Sequence, residues 1–175
     1  MDEKLRNELL RKSIHISGLL YIPSIIYLGK DITALLVAAI TVAAIIFEIA
    51  RKRKRTVVEV LLRDYERKRV PGYIYTGVAF STITPFFSTG ACIISAVTAF
   101  AGDGTAGIVK RVKPELALPA FILPCLVLIP LLPVNPVYAI ISAIISSFLD
   151  GRKWEDNLTI PLSAALSYEL LRFLC

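Results

Sequence analysis

The sequence has few of the residues that build disulfide frameworks or zinc centres. Its three cysteines, Cys92, Cys125 and Cys175, lie in or at the end of apolar runs and lack the spacing of metal ligands. No Gly-Lys-Ser/Thr follows a glycine-rich stretch, which excludes a P-loop. The sequence also lacks internal repeats and low-complexity tracts. We therefore predict a single domain over residues 1–175 without a disulfide or zinc framework.

Long apolar runs are what the sequence has instead. Hydrophobic residues make up 55% of the 175 positions, and the 19% that are charged fall in short blocks between apolar runs. Because about 20 apolar helical residues cross the hydrocarbon core of a bilayer, we predict an all-α, polytopic integral membrane bundle of seven transmembrane helices, with six as the alternative count. The predicted spans are residues 13–29, 31–50, 72–88, 90–109, 116–133, 135–149 and 158–174.

Lysine and arginine are distributed unevenly between the connections. All but Lys30 and Arg172 fall in segments that alternating spans would place on one side, and nine lie in residues 51–71. The positive-inside rule then predicts a multi-pass cell-membrane protein with a cytoplasmic N-terminus. We predict that the basic 51–71 loop forms an interfacial helix that binds anionic lipid headgroups, and we expect no nucleic-acid partner. The alternative is that this loop steers a polyanionic substrate.

The first charged motif precedes and enters the first span. Glu8, Arg11, Lys12 and His15 are spaced i, i+3, i+4 and i+7, so they share one face of the predicted helix. Ionisable side chains at membrane depth are costly and are therefore candidate site residues. The simpler alternative is an ion pair between Glu8 and Lys12 beside a lone structural histidine.

The second motif places Asp103 between Gly102 and Gly104, with Thr105 following, at the predicted cytoplasmic end of a span. Glycine allows close approach of the backbone and frees amides to face phosphate oxygens. The carboxylate of Asp103 can hold Mg²⁺ or polarise a hydroxyl. Gly-Asp-Gly also describes an ordinary tight turn, so this pattern is weak when taken alone.

Further acidic side chains lie at the same predicted boundary. Three acids and an amide precede the last span: Asp150, Glu155, Asp156 and Asn157. Asp156 or Asn157 can cap the last helix, or this group supplies a second metal or nucleotide contact.

Glu48, at the inner end of the second predicted span, is followed one turn later by Arg51 and Lys52, which favours a local ion pair. The alternative for Glu48 is a metal ligand.

The three motifs converge on one membrane face, where acids and bases suit transfer of a phosphoryl group from a charged cytosolic donor to a lipid. The motifs and their order resemble those of the CTP-dependent lipid-alcohol kinases. This family includes dolichol kinases, phytol kinases and a diacylglycerol kinase branch. The matching stretches are Glu8-x-x-Arg11-Lys12-x-x-His15, Gly102-Asp103-Gly104-Thr105-Ala106 and Glu155-Asp156-Asn157-Leu158-Thr159-Ile160-Pro161-Leu162. Together they span nearly the whole chain.

The resemblance implies transfer of the γ-phosphate of CTP to the hydroxyl of a prenol or other lipid alcohol, with Mg²⁺ as cofactor. We assign catalytic roles to Asp103, His15 and Lys12, and metal roles to Asp103, Asp156 and Glu48. The positions assigned to CTP binding are Glu8, Arg11, Lys12, Gly102, Gly104, Thr105, Lys110, Arg111 and Asn157. Relatives usually carry a Gly-Arg loop and a Lys-Ser/Thr-x-Glu-Gly stretch after the central motif, which residues 109–118 of this chain replace with a different sequence.

Two other classes of protein share the predicted hydropathy. A cytidylyltransferase that forms CDP-lipids would have a similar topology, but its long C-terminal signature is absent from this sequence. A transporter or membrane scaffold would explain the apolar runs but not three motifs at one face. Homo-oligomerisation is a further prediction, because small residues offer helix contact points that serve either oligomers or internal packing: Gly18, Gly77, Gly90 and Gly107.

Overall fold

The computed structural model describes residues 3–53, 70–151 and 155–175. These residues are largely helical, and no β-strand occurs among them, so the all-α prediction is confirmed. The α-helices are α1 (Glu3–Ile16), α2 (Tyr21–Tyr27), α3 (Lys30–Arg53), α4 (Gly72–Phe86), α5 (Thr89–Ala96), α6 (Asp103–Val109), α7 (Ala117–Leu128), α8 (Pro136–Ser147) and α9 (Asp156–Leu174).

Short turns of other helix types join some of these helices end to end. A 3₁₀ turn, Ser17–Leu20, connects α1 to α2, and a π-helical turn, Val97–Gly102, connects α5 to α6. Two further 3₁₀ turns, Pro114–Leu116 and Ile129–Leu131, flank α7. The described chain therefore forms seven continuous helical rods whose order and approximate bounds match the seven predicted spans.

Three of the rods are long and apolar enough to cross a membrane, as judged within the described ranges. They are Lys30–Lys52 with 23 residues, Thr89–Val109 with 21 and Pro114–Leu131 with 18. In the most apolar stretch of Lys30–Lys52, only 17% of the residues are buried in the bundle. In Thr89–Val109 the buried share is 78%. Thr89–Val109 is thus the central helix, whereas α3 presents aliphatic side chains outward, as a lipid-facing helix does.

The core around the central helix combines aromatic stacking with close helix approach. The rings of Phe80 and Phe100 stack with centroids 5.1 Å apart, and the ring of Tyr21 meets Phe80 edge-on. The buried face of α8 carries small residues such as Ala139, Ser142 and Ser146, and Ser146 accepts a hydrogen bond from Ser163 of α9 at 3.0 Å. Small side chains let helix backbones approach closely, which is the usual packing mode of helices in lipid.

The four glycines that offered helix contact points all face side chains of this same chain. A Cβ atom at Gly77 would lie 2.6 Å from Thr41 Oγ1, and one at Gly90 would lie 2.6 Å from Tyr168 Oη. A Cβ at Gly18 would overlap the ring of Phe100, and one at Gly107 would overlap the side chain of Lys12. These glycines therefore serve internal packing, and homo-oligomerisation remains a prediction.

The connections between rods separate to two ends of the bundle. The α2–α3, α4–α5 and α7–α8 connections meet the end of α9 around a cavity of about 500 Å³, where Lys30 and Arg172 lie. The α6–α7 and α8–α9 connections meet α1 at the other end, which carries the three sequence motifs. Most of the basic 51–71 loop, including its predicted interfacial helix, lies outside the described residues.

Candidate active site

A polar cavity of about 540 Å³ opens at the end of the bundle where the motifs meet. Side chains from the opening, central and closing motifs all line it, although they are up to about 145 positions apart in the sequence. The lining residues are Arg11, Lys12, His15, Asp103, Gly107, Lys110, Arg111, Asp150, Asp156 and Asn157. The fold therefore brings three separate motifs to one site.

The π-helical turn Val97–Gly102 places Asp103 in this cavity. The backbone N–H of Asp103 donates to the carbonyl of Thr98, five residues back, instead of four as in an α-helix. Within the turn, the carbonyl oxygen of Ala99 lies 2.8 Å from His15 Nε2. The turn therefore presents both a backbone carbonyl and the Asp103 side chain to α1.

Two side chains of α1 hold the carboxylate of Asp103. Lys12 Nζ donates to Asp103 Oδ2 at 2.9 Å and to the main-chain oxygen of Asp103 at 3.0 Å. His15 Nε2 lies 3.3 Å from the same Oδ2, in addition to its contact with the carbonyl of Ala99. Because both neighbours of this ring nitrogen are hydrogen-bond acceptors, Nε2 carries the proton.

Asp103 belongs to a cluster of three carboxylates. One oxygen from each of Asp103, Asp150 and Asp156 lies within 4.8 Å of the other two. Adjacent oxygen ligands of one octahedral Mg²⁺ ion are about 3.0 Å apart and opposite ligands about 4.2 Å, since each Mg–O bond is near 2.1 Å. The donor type therefore suits a small divalent cation, around which the three carboxylates would draw closer together.

Backbone and side-chain donors also order the other two carboxylates. Lys110 Nζ donates to Asp150 Oδ1 at 2.9 Å, and the backbone N–H of Gly151 lies 3.2 Å from both carboxylate oxygens of Asp156. Burial raises the pKa of Asp156 to about 6, and the charges of Asp103 and Asp150 act in the same direction. The negative charge concentrated here is what a bound cation would neutralise.

Cationic side chains border the carboxylate cluster within the same cavity. Arg11, Lys110 and Arg111 contribute to the lining beside the three carboxylates. Guanidinium and ammonium groups bind phosphate oxygens through charge-assisted hydrogen bonds. A cavity that combines carboxylates with such cations suits a metal-bound polyphosphate, because the metal and the cations share its negative charge.

The carboxylate of Glu48, which the sequence allowed as a metal ligand, binds side chains outside the cavity. Arg51 donates to its two carboxylate oxygens, from Nε and Nη2, at 2.7 Å each, and Tyr73 Oη donates at 2.9 Å. Lys52 Nζ lies 3.9 Å from Oε1 of Glu48. Glu48 belongs to neither the cavity lining nor the carboxylate cluster as the described residues define them. The local ion pair that its spacing favours is thus present.

The glycines and the threonine around Asp103 contact other helices instead of lining the cavity. A Cβ at Gly102 would lie 2.9 Å from Phe121 Cε1, and one at Gly104 would lie 2.8 Å from Ile16 Cγ1. Thr105 Oγ1 donates to the carbonyl of Ala120 at 2.6 Å. In this structure these residues let α7 and α1 pack closely against α6.

The remaining positions divide between the site and its edge. Asn157 lines the cavity, and Thr76 Oγ1 lies 3.5 Å from its Oδ1. Neither Asp156 nor Asn157 caps α9 as one interpretation of the sequence held, because α9 begins after Glu155 without a side-chain cap. Glu8 lies on α1, but its side chain is outside the description. Sequence reasoning recognised the acid at Asp150 without assigning it to the metal group.

Comparison of this chain with protein-family models, with curated proteins and with solved structures finds no match. The residues that meet in the cavity, and the sequence motifs that supply them, are therefore what indicates a function.

Proposed function

We propose that this protein is an integral membrane kinase that transfers the γ-phosphate of CTP to the hydroxyl of a lipid alcohol at the cytoplasmic membrane face. One observation carries the proposal. The residues of three motifs that resemble the CTP-dependent lipid-alcohol kinases line a single cavity, in which three carboxylates adjoin several cations. This is the set of side chains that phosphoryl transfer from a nucleoside triphosphate uses.

The bundle supports a membrane location for this chemistry. Three rods are long and apolar enough to span a bilayer, and α3 exposes aliphatic side chains along its length. The candidate site lies at the end of the bundle whose predicted connections carry nearly all lysines and arginines. The positive-inside rule makes that end cytoplasmic, where the nucleotide is available.

Each part of the cavity then has a role in binding the donor. Asp103, Asp150 and Asp156 would hold Mg²⁺, which supplies neutralisation of the triphosphate charge. Arg11, Lys110 and Arg111 would contact the phosphate oxygens. The lipid alcohol would approach from the bilayer, so that its hydroxyl alone needs to reach the polar cavity.

The reaction follows from these roles. The alcohol oxygen attacks the γ-phosphorus while the bond from that phosphorus to the β,γ-bridging oxygen breaks, so CDP leaves. The hydroxyl proton passes to a carboxylate of the cluster. The motif resemblance, and not the geometry of the cavity, favours CTP as donor and a prenol such as geranylgeraniol, phytol or dolichol as acceptor.

The test is transfer of label from γ-³²P-CTP, with ATP and GTP in parallel, by the purified full chain in detergent with Mg²⁺. The acceptors are farnesol, geranylgeraniol, phytol, dolichol and diacylglycerol. We expect labelled lipid phosphate from CTP, and we expect Asp103→Asn to lose about 100-fold or more of the rate. Asp31→Asn is the matched control, because Asp31 is an exposed carboxylate at the start of α3. Its activity should stay within about twofold of wild type.

The products also distinguish the alternative classes. CDP release with a phosphorylated lipid is the kinase result, whereas pyrophosphate release with a CDP-lipid would identify a cytidylyltransferase. Neither product from any nucleotide, in protein that remains folded, would refute the kinase proposal and leave a transporter or scaffold.

A further inference from the structure

We infer that Lys12 is a positioning residue that clamps the carboxylate of Asp103, and that it is not a ligand of the donor's phosphates. The inference rests on the proposed function and refines it, since the sequence alone assigned Lys12 to the triphosphate.

The hydrogen bonds of Lys12 form a clamp on a single residue. Its ammonium group contacts Asp103 through the carboxylate Oδ2 at 2.9 Å and through the main-chain oxygen at 3.0 Å. Two bonds from one donor atom to the side chain and backbone of the same residue restrict the rotation of that side chain. Lys12 contributes to the cavity lining, but its side chain is only 5% exposed, so little of its ammonium surface is left for a further ligand.

Gly107 makes room for this clamp. It lies one helical turn beyond Asp103 on α6, and a Cβ atom at this position would overlap Cε and Nζ of Lys12. The absence of a side chain at Gly107 therefore lets the lysine stem lie against the backbone of α6. Lys110 differs from Lys12, because its side chain is 39% exposed while it pairs with Asp150, so it can reach a bound phosphate.

The clamp leaves one carboxylate oxygen of Asp103 available. Lys12 and His15 both contact Oδ2. No hydrogen bond reaches Oδ1 from any residue in the described part of the chain. The two α1 side chains thus fix one oxygen and leave the other for a cation shared with Asp150 and Asp156, an arrangement in which outer groups orient a metal ligand.

Binding of Mn²⁺ alone tests the inference, because no nucleotide is present. Titration of the purified full chain in detergent, followed by electron paramagnetic resonance, gives the Kd for Mn²⁺. We expect Lys12→Met to weaken Mn²⁺ binding about tenfold or more, since Asp103 loses its orientation. Lys30→Met is the matched control at the opposite end of the bundle, and its Kd should equal that of wild type. At saturating Mn²⁺, Lys12→Met should lower kcat and change the KM for CTP less than about threefold.

If Lys12 instead bound the phosphates of the donor, the variant would give the opposite pattern. Removing its charge would leave Mn²⁺ binding unchanged or tighter, because repulsion of the metal is relieved, and it would raise the KM for CTP. That pattern overturns the inference, and so does a wild-type protein that binds no Mn²⁺.

Gly107→Ala provides a second variant that keeps the lysine. It should weaken Mn²⁺ binding in the same direction as Lys12→Met, and wild-type affinity in both variants would overturn the clamp. If the wild-type protein transfers no phosphate but loses Mn²⁺ affinity on Lys12→Met, the clamp stands and the kinase proposal fails.

Discussion

Replacement of Glu48 by glutamine separates a structural role from the metal role that the sequence allowed. The side chains of Glu48 and Arg51 are 6% and 4% exposed, and Arg51 donates to both carboxylate oxygens. Removing one charge of a buried pair costs about 3–5 kcal/mol. Because glutamine keeps one acceptor oxygen, we expect Glu48→Gln to lower the free energy of unfolding by about 2–4 kcal/mol.

The assay is thermal unfolding in detergent together with the Kd for Mn²⁺. A loss of this size lowers Tm by roughly 5–15 °C for a chain of this length. Glu169→Gln is the control, because Glu169 also forms an i, i+3 pair with Arg172, while the two side chains are 34% and 58% exposed. Arg172 donates to one oxygen of Glu169, and the hydroxyl of Ser88 donates to the other. The cost of Glu169→Gln should be about 1 kcal/mol. An unchanged Tm with about tenfold weaker Mn²⁺ binding in Glu48→Gln would refute the structural assignment and make Glu48 a metal ligand.

Three further changes test the other assignments. Asp150→Asn should weaken Mn²⁺ binding about tenfold or more, and unchanged affinity would remove Asp150 from the metal group. Thr105→Val should lose the hydrogen bond to the Ala120 carbonyl and about 1 kcal/mol of stability by thermal unfolding. Its KM for CTP should be unchanged, and a large rise would return Thr105 to the nucleotide site. Gly18→Ala should force a methyl group against Phe100 and lower stability by about 1–3 kcal/mol, whereas wild-type Tm would show that the ring moves aside freely.

The sequence predicts the helices well because apolar runs and charged connections are strong signals. The seven rods follow the predicted order, and the 3.6-residue period places Arg11, Lys12 and His15 on one face of α1, where all three line the cavity. The i, i+3 spacing of Glu48 and Arg51 likewise indicates the ion pair that the structure contains.

The sequence does not show which polar residues contact which. Gly102, Gly104 and Thr105 flank the site aspartate, yet their neighbours are Phe121, Ile16 and the carbonyl of Ala120, which lie on other helices. Only the tertiary packing of α6 decides between a phosphate cradle and a helix contact. The same holds for the cluster of Asp103 with Asp150 and Asp156, since the connection between α8 and α9 sets their separation.

The π-helical turn Val97–Gly102 makes the site sensitive to the length of the chain as well as to its composition. An α-helix turns about 100° per residue. A π-helical turn, whose hydrogen bonds span five residues, turns less per residue, so winding the same six residues as regular α-helix would rotate Asp103 by about that angle relative to α5, away from Lys12 and His15. Insertions and deletions in α5, which would rotate Asp103 by the same angle, should therefore be tolerated far less than substitutions. The one extra residue in this turn thus sets the direction in which the polar end of the central helix faces relative to its apolar part.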